Sequence, residues 1–422
     1  MNNIILRIFV FTFLPYMISI LFIFTFQNIP KVRNNQEEKK IIYSFNYFIL
    51  LDFRGFLSKI REYINNQNLL TLTDLYNDYI VTFDIYGNPE IAKKIENKHL
   101  INLHTDLNKF YSYAIFQEQN SNIEQNKVWI TLFDFNLNPI NSSKIIFNKN
   151  FKEISYLSNE KIGFLLSSES LNYLALYNFQ YFKSSFKLQK KAEFNIKQNI
   201  SCKYNQDAKF SIFHIFNDTQ NIVILFDNDT YNQYYLSDTY PQNITTNDNN
   251  IFILAKKIID NQQYLVKIPK NNIKYAFFYK IDNNWNYSLN YYNSYLIILK
   301  ENSKSNDIYF LSEELNISKK IKISYTGDNF KLFTNINGIF LNFNYQSFPF
   351  IVKIDQTIAQ KSNPYFSITT DNNFDLDIKF SFQQKMDNFN IFTKSNDIEI
   401  QEEKENLETQ EYDLFIKFYQ TF

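Results

Sequence analysis

Apolar residues in this chain gather in short runs, each stopped by a turn-forming or polar residue. The run 79–83 stops at Asp84, 129–133 at Asp134, 173–177 at Asn178 and 222–226 at Asp227. Further on, 264–268 stops at Pro269, 308–312 at Glu313 and 350–354 at Asp355. Successive stops lie 50, 44, 49, 42, 44 and 42 residues apart. A spacing this even marks a repeat architecture.

Two units also share their letters. Phe83-Asp84-Ile85-Tyr86-Gly87-Asn88-Pro89, running to Lys94-Ile95, matches Phe133-Asp134-Phe135-Asn136-Leu137-Asn138-Pro139, running to Lys144-Ile145, at Phe, Asp, Asn, Pro, Lys and Ile. Most units carry an earlier apolar run as well, at 110–116, 162–166, 210–216, 251–255, 295–299 and 339–343. The loops between the paired runs, such as Asn217-Asp218-Thr219-Gln220, have hairpin composition.

The runs are β-branched and aromatic and lack the i, i+3, i+4, i+7 spacing of a helical repeat. Each unit is therefore predicted to be one four-stranded blade with two strongly marked strands, and the fold class is all-β: a β-propeller of about seven blades, with six to eight possible. An open sandwich is the alternative, but it gives no reason for even spacing. Ring closure needs strands from both chain ends, with candidates at 43–51, 374–382, 389–394 and 414–418. Residues 53–63 read as a short helix or an irregular hairpin. Glu402-Glu403-Lys404-Glu405 reads as a solvated loop.

A different pattern precedes the repeats. From Ile4 to Phe26 only Arg7, Thr12, Ser19 and Thr25 interrupt an apolar stretch that reaches roughly 34 Å as a helix. Pro15 is tolerable in such a span. The exit at Phe24-Thr25-Phe26-Gln27 has no small-residue cleavage pattern, so an uncleaved anchor is expected rather than a signal peptide. Basic residues flank both sides, Arg7 on one and Lys31, Arg33, Lys39 and Lys40 on the other. A short basic head favours export, so the body is expected to be extracytoplasmic and the protein single-pass. The expected organisation is residues 1–30 as anchor, 31–40 as charged linker and 41–422 as propeller.

Composition narrows the function classes. The 43 basic and 43 acidic residues cancel, so no long-range field recruits nucleic acid. The single cysteine, Cys202, leaves no internal disulfide. Asn-x-Ser/Thr triplets at Asn141, Asn199 and Asn243 are expected by chance in an Asn-rich chain.

The residues that could carry chemistry point mostly to turns. Asp84, Asp134, Asp227 and Asp355 could ring a metal, but Asp at a strand exit bonds its own backbone and starts a turn, and Asn178, Pro269 and Glu313 fill the same place. Asp227-Asn228-Asp229 with Asp238 at the twelfth position resembles the start of a calcium loop, but Tyr231 stands where an oxygen ligand belongs and Asn232 where the turn glycine belongs. His99 and His104 lack a third ligand at metal spacing, and His214 is remote. Five glycines are too few for a phosphate-cradling loop, and no nucleophile elbow occurs.

No catalytic, cofactor or metal residue is assigned. The reading is a membrane-anchored propeller that binds protein or acts as a scaffold in a cell-envelope complex. A hydrolase or lyase acting on carbohydrate or peptide at the ring axis is the alternative. An enzyme should show converging ionisable groups at the axis, and a binding module an exposed apolar patch on one face.

Overall fold

The apolar runs become the middle of each sheet, and their two-sided burial explains why they read as unbroken. The computed structural model describes residues 46–421 apart from 64–66, 107–110, 119–125, 158–160, 183–184, 198, 205–209, 217–220, 228–232, 260, 302–304, 356, 359–360, 363–364, 372 and 389–392. These residues lie in one compact unit, Ser44–Phe422. The Ile4 to Phe26 segment and the 31–40 linker lie outside the described residues. Among the described residues no helix is long and apolar enough to cross a membrane.

The described strands form seven antiparallel sheets. Blade 1 is the pattern for the rest: Phe56–Glu62, Asn68–Thr73, Asp78–Phe83 and Pro89–Ile95, each paired with the next. Blades 2 to 6 repeat it over residues 98–147, 150–196, 199–237, 239–280 and 286–325. Blade 7 combines Asp328–Asn335, Gly338–Tyr345 and Phe348–Ile354 with Tyr47–Leu51 from the start of the chain. From blade 3 round to blade 1 first strands touch first strands of the neighbouring blade, while the first strands of blades 2 and 3 touch the third strand of the blade before, so the sheets close into a ring. The architecture is an all-β propeller.

Period-two alternation divides each middle strand between two neighbours. In blade 2, Ile115, Ile130 and Leu132 join Phe164, Leu166 and Tyr173 of blade 3. Ala114, Phe116 and Trp129 instead join Leu69, Ile80 and Ile95 of blade 1. Outer strands are half-buried and interleave polar residues, as in Pro139–Phe147.

The chain end does something the apolar pattern does not announce. After blade 7 it runs backwards around the outside of the ring and adds a fifth strand to every blade. Phe366–Asp371 pairs with blade 6, Lys379–Lys385 with blade 5, Asp387–Asn388 with blade 4 and Thr393–Lys394 with blade 3. Ile400–Lys404 then pairs with blade 2, Thr409–Glu411 with blade 1 and Ile416–Thr421 with Tyr47–Leu51 of blade 7. This segment is a belt. It covers edges whose unpaired backbone groups would otherwise template association.

Two devices hold the belt. One is a buried apolar residue at five of its crossings between blades: Leu376, Met386, Ile398, Leu407 and Leu414 each enter a different core. The other is charge. Residues 366–422 hold 12 of the acidic and 5 of the basic side chains, whereas five of the seven strands they cover carry lysines. Lys93 pairs with Glu411, Lys144 with Glu403 and Glu405, and Lys320 with Asp371 and Asp375. Desolvation works against the Asp375 carboxylate, but the Tyr309 hydroxyl, Lys320 and Lys300 outweigh it and hold its pKa at about 2.

Several expectations need correction. Residues 402–404 do not form a solvated loop: they sit in the belt strand Ile400–Lys404, where Glu402 accepts from Ser143 at 2.9 Å and Glu403 meets Lys144. Charge drives this pairing, so hydropathy was blind to it. Asn178 is no strand exit either, because Asn172–Phe182 runs through it as part of a long hairpin. The stretch 53–63 contains the first strand of blade 1 and no helix. The tail candidates 374–382 and 414–418 overlap belt strands, and of 389–394 the described part is the strand Thr393–Lys394.

Candidate functional site

The duplicated motif builds two equivalent turns. Asp84 Oδ1 accepts from the Tyr86 and Asn88 amides, both at 2.8 Å, while Oδ2 accepts from Asn88 Nδ2. Asp134 does the same with Asn136 and Asn138 at 2.9 and 2.8 Å. Gly87 is required where it stands, at φ +92°, because a Cβ there would lie 2.6 Å from the Tyr47 ring. Asp134→Ala removes the acceptor for these donors and should lower stability by about 1–2 kcal/mol, read from urea unfolding. Asp84→Ala should match it, since the geometry is the same.

These turns share one face of the ring. Tyr63 Oη of blade 1 donates to the Asp134 and Phe135 carbonyls at 3.3 and 3.2 Å, bringing blades 1 and 2 together there. On the other side Asn335 and Asn337 of blade 7 donate to Asn68 Oδ1 at 3.0 and 3.1 Å, and Asn337 also to the Gln67 carbonyl. This hydrogen-bonded platform carries three apolar tips on consecutive blades: Ile336 at 47%, Tyr86 at 43% and Phe135 at 60% exposure.

A second cluster lies on the inner strands. In blades 1, 2, 3 and 5 the first strand carries a register shift at an equivalent place, between Leu57 and Lys59, Leu100 and Asn102, Phe151 and Glu153, and Pro241 and Asn243. A bulge re-aims the side chains around it. Several of these then reach across to the next blade. Lys59 Nζ and Arg61 Nη2 donate to Asn102 Oδ1 at 2.9 and 3.3 Å. Glu153 accepts from the Cys202 amide at 2.6 Å, and Lys331 Nζ donates to the Leu57 carbonyl at 3.2 Å. The result is a polar seam that ties blade to blade.

Burial, reinforced by Arg61, pulls the Lys59 pKa down to about 7. A lowered lysine costs stability while it is held protonated, and the cost fades as pH rises from about 7 to the unfolded value near 10.5. Wild type should therefore gain stability relative to Lys59→Met across that window, read from thermal unfolding at stepped pH.

Among the described residues the other candidates do not converge on a metal site. Asp355 closes its own turn, accepting from the Thr357 amide at 2.8 Å and the Thr357 hydroxyl at 2.7 Å. Pro269 ends a strand and opens a short 3-10 turn, and Glu313 accepts from Asn247 Nδ2 at 2.8 Å. Asp227 ends the strand Asn221–Asp227, and Asp238 sits at a positive-φ turn between strands. Asp229, Tyr231 and Asn232 lie outside the described residues, so the calcium-loop comparison rests on sequence. His99 is exposed and bonds Asp78 at 2.8 Å, which raises its pKa. His104 is buried beside Tyr113. His214 lies on the strand Phe210–Phe216. Among the described residues no three His, Cys, Asp or Glu side chains are grouped to hold a metal. Cys202 is buried and donates to the Ser155 carbonyl at 3.3 Å.

Comparison with known proteins yields likeness of shape alone. No family model matches the chain, and no curated protein matches it. Among solved structures, one from a study of two prolyl endopeptidases aligns at TM-score 0.45 and 10% identity, covering 72% of this chain and 45% of that one. This chain thus spans less than half of that protein. The AfRom2 CNH domain aligns at TM-score 0.40 and 11% identity, covering 73% and 99%. Hsv2 of Kluyvelomyces marxianus aligns at 0.31 and 9%, covering 61% and 96%.

Proposed function

We propose that this chain is a membrane-anchored propeller that binds another protein through the turn face of blades 7, 1 and 2, as a scaffold in a cell-envelope complex. The supporting observation is the row Ile336, Tyr86 and Phe135, apolar tips fixed on a hydrogen-bonded platform. Aromatic anchors on a rigid surface lose little entropy on binding, and such residues dominate interface energetics. The anchor is Ile4 to Phe26, with the body outside the cytoplasm.

The test is cross-linked capture of the full chain from detergent-solubilised membranes. A stoichiometric partner should be lost from Tyr86→Ser/Phe135→Ser and kept by Leu75→Ser, whose side chain lies on the opposite turns. Equal recovery from both variants would overturn the face, and release of the wild-type chain by alkaline wash would overturn the anchor.

One observation favours a second reading. Lys59 is near neutrality on an inner strand, which suits a general base or amine nucleophile of a hydrolase or lyase at the axis. Turnover of carbohydrate or peptide that disappears in Lys59→Met, in a variant that still unfolds cooperatively, would support it.

A further inference from the structure

The belt is unevenly fastened, and where it is thinnest a long strand edge is left over. Among the described residues its strand pairing on blade 3 is with Phe194 and Asn195, after which it turns away, with the Ser395 amide donating to the Glu193 carbonyl. The strand beneath it, Ser185–Ile196, is twelve residues long, and its first half, 185–190, projects past the belt while paired on its other side with residues 177–182. No belt strand among the described residues reaches this half. Phe186 and Leu188 are buried in the core shared with Phe179, so the projecting hairpin is a packed part of the ring. Its exposed side chains are Lys187 and Gln189, while the Lys190 ammonium is held by Glu193 at 2.9 Å and by the Ile398 carbonyl at 2.6 Å.

Lysines on an edge discourage association with apolar strands. They also select what can be added. Elsewhere in this ring, acid-bearing belt strands lie along lysine-bearing outer strands, as Thr409–Glu411 does along Lys93 and Ile400–Lys404 along Lys144. The six residues 185–190 offer an edge of the length that belt strands of five to seven residues occupy elsewhere. We infer that residues 185–190 form a β-addition site for an extended acidic segment of a partner protein. Main-chain bonds to the edge supply affinity, and Lys187 supplies the preference for acid.

This inference takes from the scaffold reading only that the partner is a protein, and it uses a different surface from the turn face. The probe is a labelled eight-residue peptide alternating Glu with Ile or Val, added to the detergent-solubilised full chain. Binding should slow amide exchange at 185–190. It should weaken about tenfold at about 0.5 M salt, in Lys187→Glu, and with the Gln counterpart of the peptide. Three results would overturn the proposal: unchanged exchange at 185–190, equal binding of the Gln peptide, or faster exchange at Ile400–Lys404, which would mean the peptide displaces the belt. A salt-sensitive dimer of the free chain that protects 185–190 would assign the edge to a second copy instead. Tyr86→Ser/Phe135→Ser should bind the peptide as wild type does, so failure of the turn face and failure of this edge are separable.

Discussion

A chain ending before Phe366 should fail to give a stable monomer. It should aggregate on size-exclusion chromatography and show no cooperative thermal transition. Deletion removes Leu376, Met386, Ile398, Leu407 and Leu414 from five separate cores. At about 1.5–3 kcal/mol for each buried side chain, the loss is of order 10 kcal/mol, as large as the whole stability of a typical domain. Outer strands that now end in belt pairs would also present open edges. Supplying residues 366–422 as a separate peptide should restore monomer and transition together. A truncated chain that melts like wild type would show the belt to be an ornament.

The second large effect is expected at one carboxylate. Glu193 is buried on the outer strand of blade 3, where Oε1 accepts from the Asp397 and Ile398 amides at 2.7 and 3.1 Å and from the Ser395 hydroxyl, while Oε2 meets Lys190 at 2.9 Å. It is the clasp at a point where the belt's strand pairing is shortest. Glu193→Ala leaves the Asp397 and Ile398 amides and the Ser395 hydroxyl without their charged acceptor and Lys190 with only the Ile398 carbonyl, and the cost should reach about 3–5 kcal/mol. Hydrogen exchange should rise first at residues 395–400, while Asn172–Phe182 stays protected. Uniform loss of protection would mean the residue serves the blade as a whole.

How much of this was readable from sequence depends on what buries each residue. The middle strands announced themselves because both faces are covered, so runs such as 251–255 carry no polar interruption. Asp84 and Asp134 announced their turns because the chemistry is local, contained within five residues. The belt was illegible for the opposite reason. Its strands are one-sided, short and acidic, and Glu402 and Glu403 owe their place to Ser143 and Lys144, some 260 residues earlier in the chain. The axial seam was hidden as well, because a bulge shifts the pattern that alternation would have shown. The exposed tips on the turn face are single residues, and only the ring sets Ile336 beside Tyr86.

Blade 7 draws on three distant stretches of the chain: Tyr47–Leu51, the strands from Asp328 to Ile354, and Ile416–Thr421, with Tyr47 opposite Thr421. During synthesis, therefore, Tyr47–Leu51, the earliest of the described strands, must wait for partners that emerge some 300 and 370 residues later. A fold completed by so distant a pairing is expected to form slowly, with Phe48 and Ile49 open to solvent and to aggregation in the interval.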